Sequence, residues 1–220
     1  MNYPARCILT LTYAWSAVAF GAAAGDISKV IGSVRVESGQ AARDVSTVNG
    51  SVTIGATATV QEVETVNGSV RIEERAVVGS AETVNGDVTV GDGAEVKDDV
   101  ETVNGEITLR SGARIGGSVA NVNGDMLIEG ASVEGGLETV NADIRLTSGS
   151  RVSRGIRVEK NNNNGRSWAG RDQDNPRITV EAGAVVEGPL VFEREVDLYV
   201  APGVTLPPVQ GVQPKRYTLQ

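Results

Sequence analysis

Acidic side chains recur along this chain at a nearly constant spacing, and stacked carboxylates could bind hard cations such as calcium. With Val45 taken as position 1 of a repeating unit, the first acidic column occupies position 7: Asp87, Glu106, Asp125, Asp143 and Asp197. A second column consists of Glu64, Glu82, Glu101 and Glu138. The glycine-rich nonapeptide of calcium-loaded β-rolls is absent, so we expect a solvated acidic face and no metal site.

Histidine and cysteine, two side-chain types common in catalytic sites, are absent or nearly absent from this sequence. The chain contains no histidine, which excludes Ser-His-Asp and Cys-His catalysis and His-ligated zinc. Its only cysteine is Cys7, near the amino terminus. No residue qualifies by pattern as a nucleophile or a base, so we predict a protein that is not an enzyme and needs no cofactor. A carbohydrate-active β-helix enzyme, with acidic or basic residues on a broad groove, is the remote alternative.

One polar segment interrupts an otherwise regular chain: "EKNNNNGRSWAGRDQDNP", residues Glu159–Pro176. It places Trp168 between Arg166 and Arg171, and tryptophan and arginine are typical of binding hot spots. These three residues are therefore candidates for binding a partner. In the alternative interpretation, the segment is a simple excursion whose tryptophan folds back on the domain.

An internal repeat of 18 or 19 residues determines the architecture. Apolar residues recur at positions 8 and 10 of each unit, as in Val52 and Ile54 of the first clear copy. The most regular feature is an asparagine that always follows a valine: Asn49, Asn67, Asn85, Asn104, Asn123 and Asn141, preceded by Val48, Val66, Val84, Val103, Val122 and Val140.

The repeat predicts a β-solenoid. An Asn-Gly pair between alternating apolar residues usually indicates a hairpin turn. However, each unit holds three short β-like runs, at positions 1–4, 7–10 and 14–16, and in an antiparallel meander an odd number would reverse direction from unit to unit. In a single-stranded parallel β-helix each unit is one coil, and like residues stack about 4.8 Å apart. A hairpin-based sandwich or prism is the alternative.

Within such a solenoid, the asparagines occupy a corner. Asparagine tolerates the left-handed backbone that a tight corner can need, and stacked amides can hydrogen-bond along the axis. We therefore predict a structural asparagine ladder; a ligand or ion site lined by the six asparagines is the sharper alternative. Ala142 replaces the usual glycine after Asn141 and indicates a weakened corner.

The valines at position 4 raise a separate question. Strict alternation would place Val45, Thr47 and Asn49 on one face and Val48 on the other. Val48 and its five counterparts would then form an exposed apolar stripe suited to self-association. A corner that turns these valines into the core is the alternative interpretation.

The array has predictable limits. Degenerate copies extend it to about nine coils, from Ile27 to Leu206, and a proline-containing tail, 207–220, follows. Pro202, Pro207 and Pro208 are expected to end strand pairing there, whereas no comparable cap precedes Ile27. We therefore expect the amino-terminal coil to pair with another molecule or to dock on a partner.

The first 24 residues are typical of a cleaved secretory signal. Arg6 provides a positive charge, a short apolar run follows, and "GAAA" supplies small residues for cleavage after Ala24. The remaining chain would carry a net charge of −9, because Arg6 is removed from 20 basic against 28 acidic residues. Such an acidic protein is not suited to nucleic acid. No membrane-spanning segment is expected after cleavage.

The phrases "VNGSVTI", "VNGDVTVGDGAEV" and "VNGEITLRSGARIGGSV" resemble those of bactofilins, a polymer-forming cytoskeletal family of compact β-helices. They are also similar to bacterial putative adhesins whose β-solenoids repeat "VNG" phrases. The resemblance implies a non-enzymatic scaffold that can self-associate. Bactofilins are typically cytoplasmic or bound to the inner membrane face, so the signal-like segment departs from that family.

Three functions follow as expectations. The first is an exported, self-associating structural protein of the bacterial cell envelope, periplasmic or secreted, with itself or an envelope protein or polysaccharide as partner. The second is a secreted or surface adhesin-like binding module that uses the Glu159–Pro176 segment. The third and most remote is the carbohydrate-active enzyme.

Overall fold

Every regular element among residues 25–160 and 175–218, which the computed structural model describes, is a β-strand. The strands are β1 (Ile27–Ile31), β2 (Val34–Val36), β3 (Ala41–Asn49), β4 (Val52–Ile54), β5 (Thr59–Asn67), β6 (Val70–Ile72), β7 (Val77–Asn85), β8 (Val88–Val90), β9 (Glu95–Val96), β10 (Val100–Asn104), β11 (Ile107–Leu109), β12 (Arg114–Ile115), β13 (Val119–Asn123), β14 (Met126–Ile128), β15 (Ser132–Val133), β16 (Leu137–Thr139), β17 (Ile144–Leu146), β18 (Arg151–Val152), β19 (Ile156–Val158), β20 (Arg177–Val180), β21 (Val185–Val186), β22 (Leu190–Phe192), β23 (Asp197–Val200), β24 (Val209–Gly211) and β25 (Lys215–Thr218).

These strands pair in parallel with the strand one repeat away, which makes the fold a β-solenoid. Asn49 pairs in register with Asn67, and Val52 pairs with Val70, so each repeat position stacks on itself. The Asn-Gly pair lies between strands of two different sheets and is therefore a corner of a coil. The predicted solenoid is confirmed, and the hairpin-based alternative is wrong.

Two sheets run along the solenoid. Sheet I has fifteen strands and contains the runs at positions 1–5 and 14–16. Sheet II has ten strands, β2, β4, β6, β8, β11, β14, β17, β20, β23 and β25, one from each coil. The described chain thus makes about ten coils, one more than the sequence predicted.

The additional coil comes from the segment that was expected to be a tail. β24 pairs with β22 and β25 pairs with β23, so strand pairing continues past Pro207 and Pro208. The expectation that these prolines end the ladder is wrong, because they precede β24 instead of interrupting a strand. The asymmetry between the two ends is therefore smaller than the sequence indicated.

The number of residues between one coil and the next changes the shape of sheet I. In β3, β5 and β7, two residues separate position 16 from the next position 1, and one nine-residue strand contains both runs. From Val96 onward, three residues intervene, as in Lys97–Asp99, and the chain bends between two shorter strands. Sheet I consequently divides at β7, which pairs with β9 through one half and with β10 through the other.

Apolar side chains from every coil fill the interior. From β2 to β17, each sheet II strand buries its first and third residues, such as Val52 and Ile54, and exposes the middle residue more. Position 1, position 14 and position 16 complete the lining, as in Val63, Ala58 and Val60. Burial of one valine or isoleucine side chain contributes roughly 1.5–3 kcal/mol, so each coil adds a similar increment to stability.

Candidate functional site

The six asparagines after the valines are joined by side-chain hydrogen bonds. Each Nδ2 donates to the Oδ1 of the asparagine one coil earlier, at 2.9–3.1 Å, from Asn67 to Asn49 through Asn141 to Asn123. All five bonds have the same direction, so the amide dipoles are aligned along the axis. The ladder lies on the surface, where it links six successive coils.

The glycine that follows five of the six asparagines allows the coils to stack closely. A Cβ atom on Gly68 would lie 2.0 Å from the carbonyl oxygen of Gly50, and one on Gly86 would lie 2.2 Å from that of Gly68. None of the six asparagines has a left-handed backbone; among the described non-glycine residues only Thr57 and Arg75 do. Of the two reasons expected for asparagine at the corner, the left-handed backbone is therefore wrong, whereas the hydrogen bonds between stacked amides are present.

In the part of the chain that the structure describes, the last asparagine of the ladder contacts an arginine. Arg194 occupies the asparagine position of the repeat two coils after Asn141. Its guanidinium donates to Asn141 Oδ1 at 2.8 Å and to the Val140 carbonyl at 3.3 Å. Partial burial lowers the pKa of Arg194 from its usual value. Among the described residues, Asn141 Oδ1 is the last acceptor of the ladder, and a cationic donor is well matched to it.

The sequence interpretation missed a column of buried threonines at position 3. Thr47, Thr65, Thr83 and Thr102 are at most 4% exposed, and each hydroxyl donates to the corner glycine carbonyl of the preceding coil at 3.0–3.1 Å. The signal was a threonine two residues before five of the six asparagines. Asn121 breaks the column: its Nδ2 donates to the Gly124 carbonyl, and its buried Oδ1 has no hydrogen-bond partner among the described residues.

The position-4 valines point away from the core. Val103 is 40% and Val122 is 36% exposed, while Val48, Val66, Val84 and Val140 are partly exposed. Because the threonines face inward, alternation continues to the end of the strand and the corner does not turn the valines around. The inward alternative is wrong, and an apolar valine stripe (Val48, Val66, Val84, Val103, Val122 and Val140) runs beside the asparagine ladder.

The acidic column at position 7 accepts backbone hydrogen bonds. Asp87 Oδ1 accepts the amide hydrogen of Glu106 at 2.9 Å, and Asp143 Oδ1 accepts that of Arg177 at 2.7 Å. Ser51 and Ser69 make the equivalent, longer bonds in earlier coils. These carboxylates therefore accept hydrogen bonds from backbone N–H groups that have no backbone partner at the corner. Within the described residues, no group of three or more acidic side chains is arranged to hold a metal ion.

The second acidic column lies on the outer face of sheet I, next to the valine stripe. Burial raises the pKa of Glu82 to about 7, with a further contribution from Glu101 and Glu64. Burial also raises the pKa of Glu64, with Glu62 adding to it, and that of Glu101, with Asp99 adding to it. These carboxylates are stacked without an ion-pair partner among the described residues, so protonation relieves their repulsion.

A groove of about 600 Å³ opens on the outer face of sheet II, away from the valine stripe. One wall consists of position-7 residues from four successive coils: Glu106, Asp125, Asp143 and Arg177. The floor consists mainly of position-9 residues, Leu127, Arg145, Thr179 and Tyr199, and Glu181 lines it further along the coil. The sequence interpretation did not find this groove, because its two sides come from different positions of the repeat.

The carboxyl-terminal end of the groove is aromatic and cationic. The Arg177 guanidinium carbon lies 5.3 Å from the centre of the Tyr199 ring, and Tyr199 stacks on Tyr217 with ring centres 4.6 Å apart. Arg145 donates twice to one oxygen of Glu181, at 2.6 and 2.8 Å. The groove therefore has an acidic end in coils 5–7 and an arginine–tyrosine end in coils 8 and 9.

Two predicted regions lie outside the described residues. They are the signal-like segment 1–24 and most of the insertion, including Arg166, Trp168 and Arg171. The described chain reaches Lys160 before the insertion and resumes at Asn175, just before β20. The insertion thus replaces the Asn-Gly corner of the eighth coil.

Comparison with protein-family models, curated proteins and solved structures finds no match to this chain. In the described ranges, no helix has the length and apolar character needed to cross a membrane.

Proposed function

We propose that this protein is a non-enzymatic structural component of the bacterial cell envelope that associates with further copies of itself through the valine stripe. The observation that carries this proposal is the outward orientation of all six valines, with Val103 and Val122 at 40% and 36% exposure. A continuous apolar stripe along a solenoid is a typical association surface. The resemblance to bactofilins supports a scaffold role, and the signal-like segment 1–24 supports export.

The stripe fits a second copy because it is straight and repetitive. Each valine lies about 4.8 Å from the next along the axis, so the stripe spans roughly 24 Å over six coils. Two such stripes can pack lengthwise with the asparagine ladder at the rim of the contact. Burying them would remove apolar surface from water at roughly 25 cal/mol per Å².

Sedimentation velocity of the purified protein over a wide concentration range tests the association. We expect oligomers in the wild type and a shift to monomer in the double variant Val103→Lys/Val122→Lys. Val185→Lys is the matched control, because Val185 is 42% exposed on β21 outside the stripe. A monomeric wild type at all concentrations, or equal effects of both variants, would overturn the proposal.

Location in the envelope needs its own experiment. Cell fractionation with amino-terminal sequencing of the mature protein is expected to find it in the periplasm or the medium, beginning at Gly25. A cytoplasmic protein that retains Met1 would contradict export. That result would leave the self-association proposal intact, because the two experiments measure different properties.

A further inference from the structure

The groove on sheet II is a half-open surface concavity with the volume of a small-molecule site. Its volume of about 600 Å³ lies within the range of small-molecule sites, and its wall of four coils extends over roughly 14 Å at one coil per 4.8 Å. The groove runs along the solenoid axis. It therefore suits an elongated ligand better than a compact one.

Polar atoms with unused hydrogen-bonding capacity line this groove. Asp143 uses Oδ1 for the Arg177 amide, and its other carboxylate oxygen makes no hydrogen bond within the described chain. The Arg177 guanidinium contacts the Tyr199 ring but forms no ion pair with a described residue. Thr179 and Tyr199 add hydroxyl groups beside the apolar Leu127. Hydrogen-bond donors and acceptors thus lie beside apolar surface, and such a lining can contact a hydroxyl-rich ligand.

The charge of the groove selects among such ligands. Arg145 and Glu181 form an ion pair, so their charges cancel. Among the other lining residues, three are acidic (Glu106, Asp125 and Asp143) and one, Arg177, is basic, so the groove has an excess of negative charge. Burial raises the pKa of Asp125, and the neighbouring Asp143 raises it further. A cation placed between these two carboxylates would relieve their mutual repulsion. The acidic end therefore favours an ammonium group.

We propose that this groove binds an amino-sugar oligomer along the solenoid axis. Its ammonium groups lie against Asp125 and Asp143, and its hydroxyl groups lie against Arg177 and Thr179. The site is on sheet II, whereas the valine stripe is on sheet I. Ligand binding is therefore independent of the self-association proposed above.

Isothermal titration calorimetry with a β-1,4-linked glucosamine tetramer tests the proposal on the full chain. The matched comparators are the N-acetylated tetramer, which lacks the charge, and a galacturonic acid tetramer, which reverses it. We expect binding of the glucosamine tetramer that weakens with added salt, weaker binding of the acetylated tetramer, and none of the acidic one. Equal binding of all three, preference for the acidic tetramer, or no binding at all would overturn the proposal.

Substitutions then locate the site. Asp143→Asn keeps an oxygen for the Arg177 amide while removing the charge, and we expect about a tenfold loss of affinity. Glu106→Gln at the groove end is a second variant with a smaller expected loss. Asp98→Asn, on an exposed bend outside the groove, is the control. Unchanged affinity in both groove variants, with unfolding temperatures like the wild type, would place the ligand elsewhere and refute this site.

Discussion

The two halves of the solenoid differ in regularity and in charge. Residues 25–109 include 15 acidic and 6 basic residues, a net charge of −9. The described residues from 110 to 218 include 11 of each and are neutral. The first half contains the three nine-residue strands β3, β5 and β7, whereas the second half contains the insertion, Arg194 and the groove's arginine–tyrosine end.

This difference shows how one residue changes the shape of a coil. With two linking residues, the chain continues straight from one coil to the next in a single strand. With three, it bends, and sheet I divides into two narrower branches. The regular half repeats one outer surface, while the irregular half can place unlike residues next to each other. Repetition favours association with a like surface, and irregularity favours a specific site.

The largest effect is expected from crowding a corner of the regular half. Gly86→Ala would place a Cβ atom 2.2 Å from the Gly68 carbonyl oxygen, so the coils must separate. We expect a loss of about 3 kcal/mol in the free energy of unfolding, measured by urea denaturation.

In the second half, Ala142 already occupies the glycine position of the corner. There Thr139 Oγ1 accepts a hydrogen bond from the Ala142 amide, and β16 ends early. Ala142→Gly should cost only about 1 kcal/mol, and equal losses would contradict the comparison.

The interrupted threonine column gives a prediction in the opposite direction. Asn121→Thr removes the buried Oδ1 that lacks a partner and restores a hydroxyl one coil from Gly105. We expect a gain of about 1 kcal/mol in the free energy of unfolding. The reciprocal change in the regular half, Thr102→Asn, should cost a similar amount. Destabilisation by both substitutions would show that the second half depends on Asn121.

Removing the arginine at the end of the ladder should have a moderate effect. Arg194→Met deletes the hydrogen bonds to Asn141 and Val140 while keeping much of the apolar stem. We expect a loss of about 1 kcal/mol, measured by thermal unfolding. Arg154→Met is the control, since Arg154 is exposed and makes no side-chain hydrogen bond to another described residue. If Arg194→Met and Arg154→Met reduced stability equally, the hydrogen bonds of Arg194 to the ladder would contribute nothing to stability.

The smallest effect concerns the acidic face and depends on pH. The pKa of Glu82 is about 7 in the folded protein, against 4.5 ordinarily, so the folded state binds more protons between these values. Its contribution to stability is complete below pH 4.5 and is lost as the pH rises through 7. Glu82→Gln should therefore stabilise at pH 8, by less than about 1 kcal/mol for this half-exposed group, and not at pH 4. Glu134→Gln, on a bend in the second half, is the control, and a pH-independent difference would contradict this explanation.

Much of the solenoid could be predicted because the repeat imposes the same environment on each column. The coil length, the corner at Asn104 and the inward positions of Ile107 and Leu109 follow from spacing and alternation alone. The role of Asp143 could not be predicted, since it depends on the Arg177 amide, 34 residues later across the insertion. The continuation of pairing after Pro208 was missed because "VQG" and "KRYT" lack the apolar pattern of earlier coils.

The sequence by itself determined the period, the parallel stacking and the identity of the stacked asparagines, because these depend only on regular spacing. Only the tertiary structure decided which way Val103 faces, how the threonine hydroxyls are used and where the sheet II groove forms. Each of these depends on atoms from a neighbouring coil, 15 or more residues away in the chain. Local alternation does not specify such contacts, since they form only when the coils are stacked at their final separation.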